Sequence, residues 1–177
     1  MIYRPREDSH LIEKEVKKYA NGKKVLDVGS GSGIQAKAAL ESGAKSVLCV
    51  DIDYDAVNLL KKKGLDAIQS DLFKKVKGKF DLIIFNPPYL PYAKEEDDNS
   101  SLHTSGGKTG DEIIVKFLNN VKKYLNENGK ILLVVSSLTP ISRILNILKN
   151  KKLHRKIIAQ ERFFMEKLEV WEIMDKK

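Results

Sequence analysis

The sequence has a single cysteine, Cys49, in 177 residues. One thiol forms no internal disulfide and builds no Cys-rich zinc site. Its setting in the apolar run Val47-Leu48-Cys49-Val50 marks it as a core residue. The three histidines, His10, His103 and His154, show no metal-ligand spacing, so no metal is expected in this chain. No apolar run approaches the ~18 residues that a membrane helix needs. The opening stretch, Met1 to Asp8, is too polar for a signal peptide. These absences predict a soluble, cytoplasmic protein with no membrane contact. Repeats and low-complexity stretches are missing too, and the length suits one domain over residues 1–177.

Positive charge is in excess, with 32 Lys and Arg against 24 Asp and Glu, a net +8. The lysines cluster at Lys61-Lys62-Lys63, from Lys74 to Lys79 and from Lys149 to Lys156. Such an excess fits a solvated lysine-rich surface, and it also fits an acidic or nucleic-acid-associated partner.

Strand-like and helix-like segments alternate, which predicts an α/β fold around a mostly parallel sheet. A first helix is expected from about Ser9 to Tyr19, because Ile12, Val16 and Tyr19 share one face. The first strand is Lys24 to Val28, followed by a tight loop, Gly29 to Gly33, and a helix from Ile34 to about Ser42. Next come a strand from Ser46 to Asp51, a helix from near Asp55 to before Gly64, and a short strand from Asp66 to Gln69. The fourth strand, Phe80 to Phe85, carries an unbroken apolar run, as a strand covered on both faces does. A polar loop from Pro91 to Lys108 is long enough to act as a lid over substrate. Thr109-x-x-Glu112 reads as a capping box for a helix from Gly110 to Leu125, with Asn128-Gly129 closing that segment. A fifth strand spans Ile131 to Val135, and Thr139-Pro140 reads as the N-cap and start of a last helix. Two strands without a helix between them, Leu153 to Ala159 and Leu168 to Met174, should pair antiparallel.

Two stretches carry chemistry. In Val25-Leu26-Asp27-Val28-Gly29-Ser30-Gly31-Ser32-Gly33, a strand runs into a turn with glycine at alternate positions. Such a backbone turns sharply and lets a ligand approach closely. Dinucleotide-binding turns space their glycines two and then three apart, whereas here the spacing is two and two. Asp27 would face a pyrophosphate badly, but it suits the ammonium of a methionine moiety. Asp51, at the end of the second strand, can accept both hydroxyls of a ribose, and Ile52 follows it in the cofactor-binding set. Asp53 reads as the N-cap of the next helix. Asp71 can accept the exocyclic amine of adenine, with Leu72 packed on the ring.

The second stretch is Asn86-Pro87-Pro88-Tyr89, directly after the fourth strand. An amide or arylamine nitrogen has a delocalised lone pair, and no ordinary base removes its proton at neutral pH. A site that alkylates it must hold the NH2 group by its hydrogens. The Asn86 side-chain oxygen and the Pro87 carbonyl are two such acceptors, and proline pre-aims the backbone. The gain is orientation and electrostatics. Tyr89 can stack on a flat target group.

The combined pattern resembles the HemK-type protein glutamine methyltransferases, most closely their short archaeal and eukaryotic branch. Tyr3-x-Pro5-x-Glu7-Asp8-Ser9 is similar to the N-terminal motif of that branch, although Asp8 or Ser9 also reads as the first helix's N-cap. Ser105-Gly106-Gly107-Lys108-Thr109-Gly110-Asp111-Glu112 is similar to its Gly-Gly-basic-x-Gly segment. The loop residues Glu95 to Asp98 and His103 match no motif of the family. The resemblance implies a class I methyltransferase (Rossmann-like) fold, seven-stranded and mostly parallel, with an antiparallel C-terminal strand and helices on both faces. It implies S-adenosylmethionine as cofactor, leaving S-adenosylhomocysteine as product, with Ser9, Asn86 and the glycine loop Gly29, Gly31 and Gly33 beside it. The implied substrate is the glutamine of the Gly-Gly-Gln loop in a translation termination factor. The implied partner is a small zinc-binding activator that covers a sheet edge, here Leu65 to Gln69. Asn-Pro-Pro-Tyr also occurs in adenine-N6 and guanine-N2 methyltransferases of DNA or RNA, since a flipped base presents the same flat NH2 group. Sequence-specific DNA enzymes need a second region to read bases, and no residues are left over to form one.

Overall fold

A computed structural model describes residues 5–89 and 107–176. Residues 91–106 of the loop expected to act as a lid, with its acidic run from Glu95 to Asp98 and His103, lie outside those residues, as does Tyr3. In order, the elements are α1 (Glu7–Tyr19), β1 (Lys24–Val28), α2 (Ile34–Glu41), β2 (Ser46–Asp51), α3 (Tyr54–Lys62), β3 (Asp66–Gln69) and β4 (Phe80–Phe85). They continue with α4 (Glu112–Val121), β5 (Leu125–Ser136), α5 (Ser142–Asn150), β6 (Leu153–Arg162) and β7 (Lys167–Asp175). The seven strands form one sheet in the order β3-β2-β1-β4-β5-β7-β6. β1, β2, β3, β4 and β5 run parallel, and β7 is antiparallel to both β5 and β6. No helix among the described residues is long and apolar enough to cross a membrane.

The pleat sends alternate side chains to two cores. Val25, Leu82 and Ile84 pack with Ile12 and Val16 of α1, Ala36 and Ala39 of α2, and Val57 and Leu60 of α3. Leu26, Val28, Ile83 and Phe85 pack with Ile114, Phe117 and Leu118 of α4 and with Ile144 and Leu148 of α5. The Phe85 and Phe117 rings meet at 4.5 Å between centroids, which fixes the end of β4 against α4. Cys49 is wholly buried in the first of these cores, as its sequence setting predicts, and burial pushes its thiol pKa up.

Several boundaries differ from the pattern reading. α1 begins at Glu7 with Arg6 as N-cap, so Asp8 and Ser9 lie inside its first turn and neither is the cap. The helix expected to reach Leu125 stops at Val121 and passes through a 3-10 turn, Lys122–Tyr124. Leu125 must already be extended there, because it pairs with Phe80 of β4. Asn128 and Gly129 therefore terminate no helix. They sit in an irregularity of β5, where the register jumps from the Phe80 to Leu125 pair to the Leu82 to Lys130 pair, and Asn128 takes φ 60. The capping box forms only one arm. The Thr109 N–H donates to Glu112 Oε1 at 3.1 Å, but the N-cap of α4 is Asp111. Thr139 does not cap α5, whose N-cap is Ile141. Its N–H is used in a turn on the Ser136 carbonyl, at 3.1 Å. Asp53 does cap α3, accepting from the Asp55 N–H at 2.8 Å.

Gly33 joins the first turn to α2 at φ 83, and a Cβ there would stand 2.6 Å from Leu60 Cδ2 and 2.9 Å from Leu65 Cδ1. Gly33→Ala should destabilise the fold by about 1–3 kcal/mol, through overpacking and the left-handed backbone. Urea unfolding of the purified protein measures this. Gly31→Ala, where a Cβ meets nothing within 4 Å, should cost clearly less.

Candidate active site

A cavity of about 520 Å³ opens where β1, β2 and β4 end. That volume suits one cofactor-sized molecule. Its walls include Ser9, Asp27, Gly29, Gly31, Asp51, Ile52, Asp71, Leu72, Asn86, Pro87, Pro88 and Tyr89. Of the residues expected from the sequence to bind cofactor or act in catalysis, only Gly33 is absent from the walls, and its part is the packing against α3 and Leu65 described above.

β1 sits between β2 and β4, so its end brings three loops together. The turn after β1 is tied to β2. The Gly29 N–H donates to the Val50 carbonyl at 2.7 Å. Ser30 Oγ donates to the Asp27 carbonyl at 2.7 Å and accepts from the Val50 N–H at 3.1 Å. Gly29 and Gly31 have φ of 64 and 49, which glycine adopts without strain. Asp51 accepts from the Gly31 N–H at 2.8 Å through Oδ2 and from the Asp53 N–H at 2.9 Å through Oδ1. Each oxygen keeps a second lone pair. The carboxylate is therefore aimed, and it can still accept two hydroxyls.

Asp27 is buried, and its Oδ2 has no hydrogen-bond partner. Burial, reinforced by the charge of Asp51, lifts its pKa to about 7, against hydrogen bonds from Ser30 and the Ala36 backbone. An unpartnered buried carboxylate oxygen is costly, and a ligand ammonium is the group that would relieve it.

Asn86 is held from the first helix. Its Nδ2 donates to Asp8 Oδ2 at 2.9 Å. A carboxylate accepts and does not donate, so the amide nitrogen must face Asp8 and Oδ1 must face away. That Oδ1 is buried without a partner. Ser9 Oγ donates to the other Asp8 oxygen at 3.4 Å, and Gln35 Nε2 holds the Ser9 carbonyl at 2.8 Å.

Asp71 is more heavily engaged than its sequence setting suggests. It pairs with Lys116 of α4 at 2.7 Å and with Lys74 at 2.8 Å. Hydrogen bonds from Lys116 and then Lys74 hold its carboxyl below the usual range. Leu72, at φ 49, presents its side chain at the cavity, and Ile52 stands half-exposed on the rim. Sequence reasoning missed Gln35, Lys116, Phe163, Glu166 and Leu168, which also line the cavity. It also quoted Asp8 without its role as the support of Asn86.

The methyltransferase small domain family matches residues 7–165. The chain belongs to that family, and the protein is a methyltransferase. It is 40% identical over 156 residues to a Methanocaldococcus jannaschii protein whose name assigns it to the protein N5-glutamine methyltransferases, covering 84% of this chain and 79% of that one. It is 34% identical over 146 residues to the release factor glutamine methyltransferase of Borreliella burgdorferi, covering 73% of this chain and 51% of that longer protein. Among solved structures, it resembles a chain of the E. cuniculi Mtq2–Trm112 complex, described as responsible for methylating the eRF1 translation termination factor. There the TM-score is 0.80 at 22% identity, over 98% of both chains.

Asp27 makes the ligand-free protein pH-sensitive in a defined direction. Its folded pKa, about 7, lies above the ordinary aspartate value of 3.8. The folded state thus binds more protons than the unfolded state between those values, and stability falls as pH rises through that window. Asp27→Asn should flatten this fall, leaving the melting temperature unchanged near pH 4 and raised at pH 8. Thermal melts of both proteins across that range, without ligand, are the check.

Proposed function

We propose that this chain transfers a methyl group from S-adenosylmethionine to the side-chain amide nitrogen of the glutamine in the Gly-Gly-Gln loop of a translation termination factor. The observation that carries the reading is Asn86 on the cavity wall, its amide nitrogen held by Asp8 so that Oδ1 is left as a buried acceptor without a partner. The names of the relatives support the same substrate.

The cavity fits the cofactor. Asp27 would take its ammonium, and Asp51 its two ribose hydroxyls on the lone pairs left free by Gly31 and Asp53. Gly29 and Gly31 would lie beneath it, with Ser9 at one side. Ile52 and Leu72 would flank the adenine, and Asp71, shared with Lys116, would accept its amine. When bound, the cofactor supplies an electrophilic methyl on a sulfonium. The rest falls to the chain. Asn86 Oδ1 accepts one hydrogen of the target NH2, the Pro87 carbonyl accepts the other, and Pro88 and Tyr89 press on the flat amide. The nitrogen lone pair is then turned toward the methyl group, which is an orientational and electrostatic gain. The amino-group reading on RNA or DNA rests on Asn86-Pro87-Pro88-Tyr89, a motif such enzymes share, and on the net +8, and the same assay addresses it.

Two variants separate binding from chemistry. Asp51→Ala should weaken S-adenosylhomocysteine binding roughly a hundredfold in calorimetry, for two charge-assisted hydrogen bonds lost. Asn86→Ala should lower turnover roughly a hundredfold at saturating cofactor. Turnover is measured with labelled cofactor on termination factor and on total RNA. Labelling of RNA, with termination factor untouched, would overturn the glutamine reading.

We also propose a small activator protein, zinc-binding as the family resemblance implies, on the free edge of β3. Leu65 and Ile68 are half-buried there, and β3 pairs only with β2 among the described strands. An open edge offers backbone groups to another chain. Ile68→Lys should abolish co-purification with the activator while leaving S-adenosylhomocysteine affinity intact. Co-elution of that variant with the activator would remove the edge from consideration.

A further inference from the structure

The cavity holds one small molecule, and a folded protein substrate does not enter it. Only a side-chain amide can reach Asn86, so the rest of the substrate must lie on the rim. One half of that rim is taken by the cofactor reading, because Gly29, Gly31, Asp51 and Asp71 stand at or just after the ends of β1, β2 and β3. The acceptor must then come from the other side of Asn86, where the sheet continues through β5, β7 and β6.

That side carries the turn between β6 and β7, Phe163 to Glu166. Its base belongs to the cavity, whose lining includes Phe163, Glu166 and Leu168. Its tip points into water, with Phe164 100% and Met165 80% exposed. The turn is nevertheless well anchored. The Phe163 N–H donates to the Glu166 carbonyl at 2.7 Å. Ser136, at the end of β5, donates to Glu166 Oε1 at 2.6 Å. Ser137 is joined to Lys167 by two further bonds, N–H to carbonyl at 2.8 Å and N–H to Oγ at 2.9 Å. The neighbouring Leu138 is 46% exposed, which adds apolar surface beside the turn. Two large apolar side chains on an anchored turn at the mouth of a site mark a contact surface.

We propose that Phe164 and Met165 form the ledge on which the protein substrate rests, gripping apolar side chains that flank the target glutamine. This rests on the glutamine reading above. Glu166 is the one acid of the turn, and its Oε1 accepts from Ser136, so the tip itself offers apolar surface, not charge. The ledge sets how strongly the substrate is held and takes no part in the chemistry.

The test is the double variant Phe164→Ser, Met165→Ser in the full chain, with Phe164→Leu, Met165→Leu as the conservative pair. KM for intact termination factor should rise about tenfold or more in the serine pair, with kcat and S-adenosylhomocysteine affinity unchanged. The leucine pair should restore KM. An unchanged KM overturns the ledge. So does a serine pair that instead loses cofactor affinity, activator co-elution or a self-association of the wild type. If wild-type protein does not methylate termination factor at all, the glutamine reading fails first and the ledge with it. If wild type is active and only the ledge variants behave normally, the glutamine reading stands and the ledge alone falls.

Discussion

Parallel pairing of β1 between β2 and β4 is the constraint on which the site depends. It sets Asp27 level with Cys49 on one side and Ile84 on the other. Parallel neighbours end at the same edge of a sheet, so the loops after β1, β2 and β4 must converge. Asp51 and Asn86 arrive beside the glycine turn for that reason alone. Slipping either partner by one residue would turn the buried row of that strand to the opposite face. The two cores forbid that, because Ile83 and Phe85 pack with α4 while Leu82 and Ile84 pack with α1 to α3.

On that frame, a second tie orients Asn86. The bond from Asn86 to Asp8 spans 78 residues of sequence. It fastens the first helix across the end of β4 and fixes which end of the Asn86 amide is turned to Asp8. Asp8 is itself held in place through Ser9, whose carbonyl is bound by Gln35 of α2. Beside this network lie buried acceptors without partners, Asp27 Oδ2 and Asn86 Oδ1 among them. Leaving buried acceptors unpaired lowers stability in the free protein. A bound partner that supplied ammonium and amide hydrogens would recover that energy as affinity and orientation.

The two halves of the rim differ in the same physical terms. The β1 to β3 side offers aimed carboxylates and backbone groups, which suit a small polar cofactor. The β5 to β7 side offers an anchored turn with exposed Phe164 and Met165. Asp71 ties the cavity wall to α4 through Lys116, so the helix that buries Phe117 also supplies charge at the cavity.

Much of this was legible in one dimension. The glycine spacing, Asp27, Asp51 and Asn86-Pro87-Pro88-Tyr89 could be read because each lies within a few residues of a strand end, where position along the chain and position in space nearly coincide. The capping role of Asp53 was local as well. Tertiary structure decided what depended on distant partners. Asp8 met Asn86, Lys116 met Asp71, and Ser136 met Glu166 only once the sheet had assembled. The stop of α4 at Val121 and the early start of β5 came from pairing Leu125 with Phe80, which helical periodicity does not encode. The turn at Phe163 to Glu166 reached the cavity because β7 reverses direction beside β5. Local sequence determines which groups stand at the end of a strand, and strand order and register determine which of them meet.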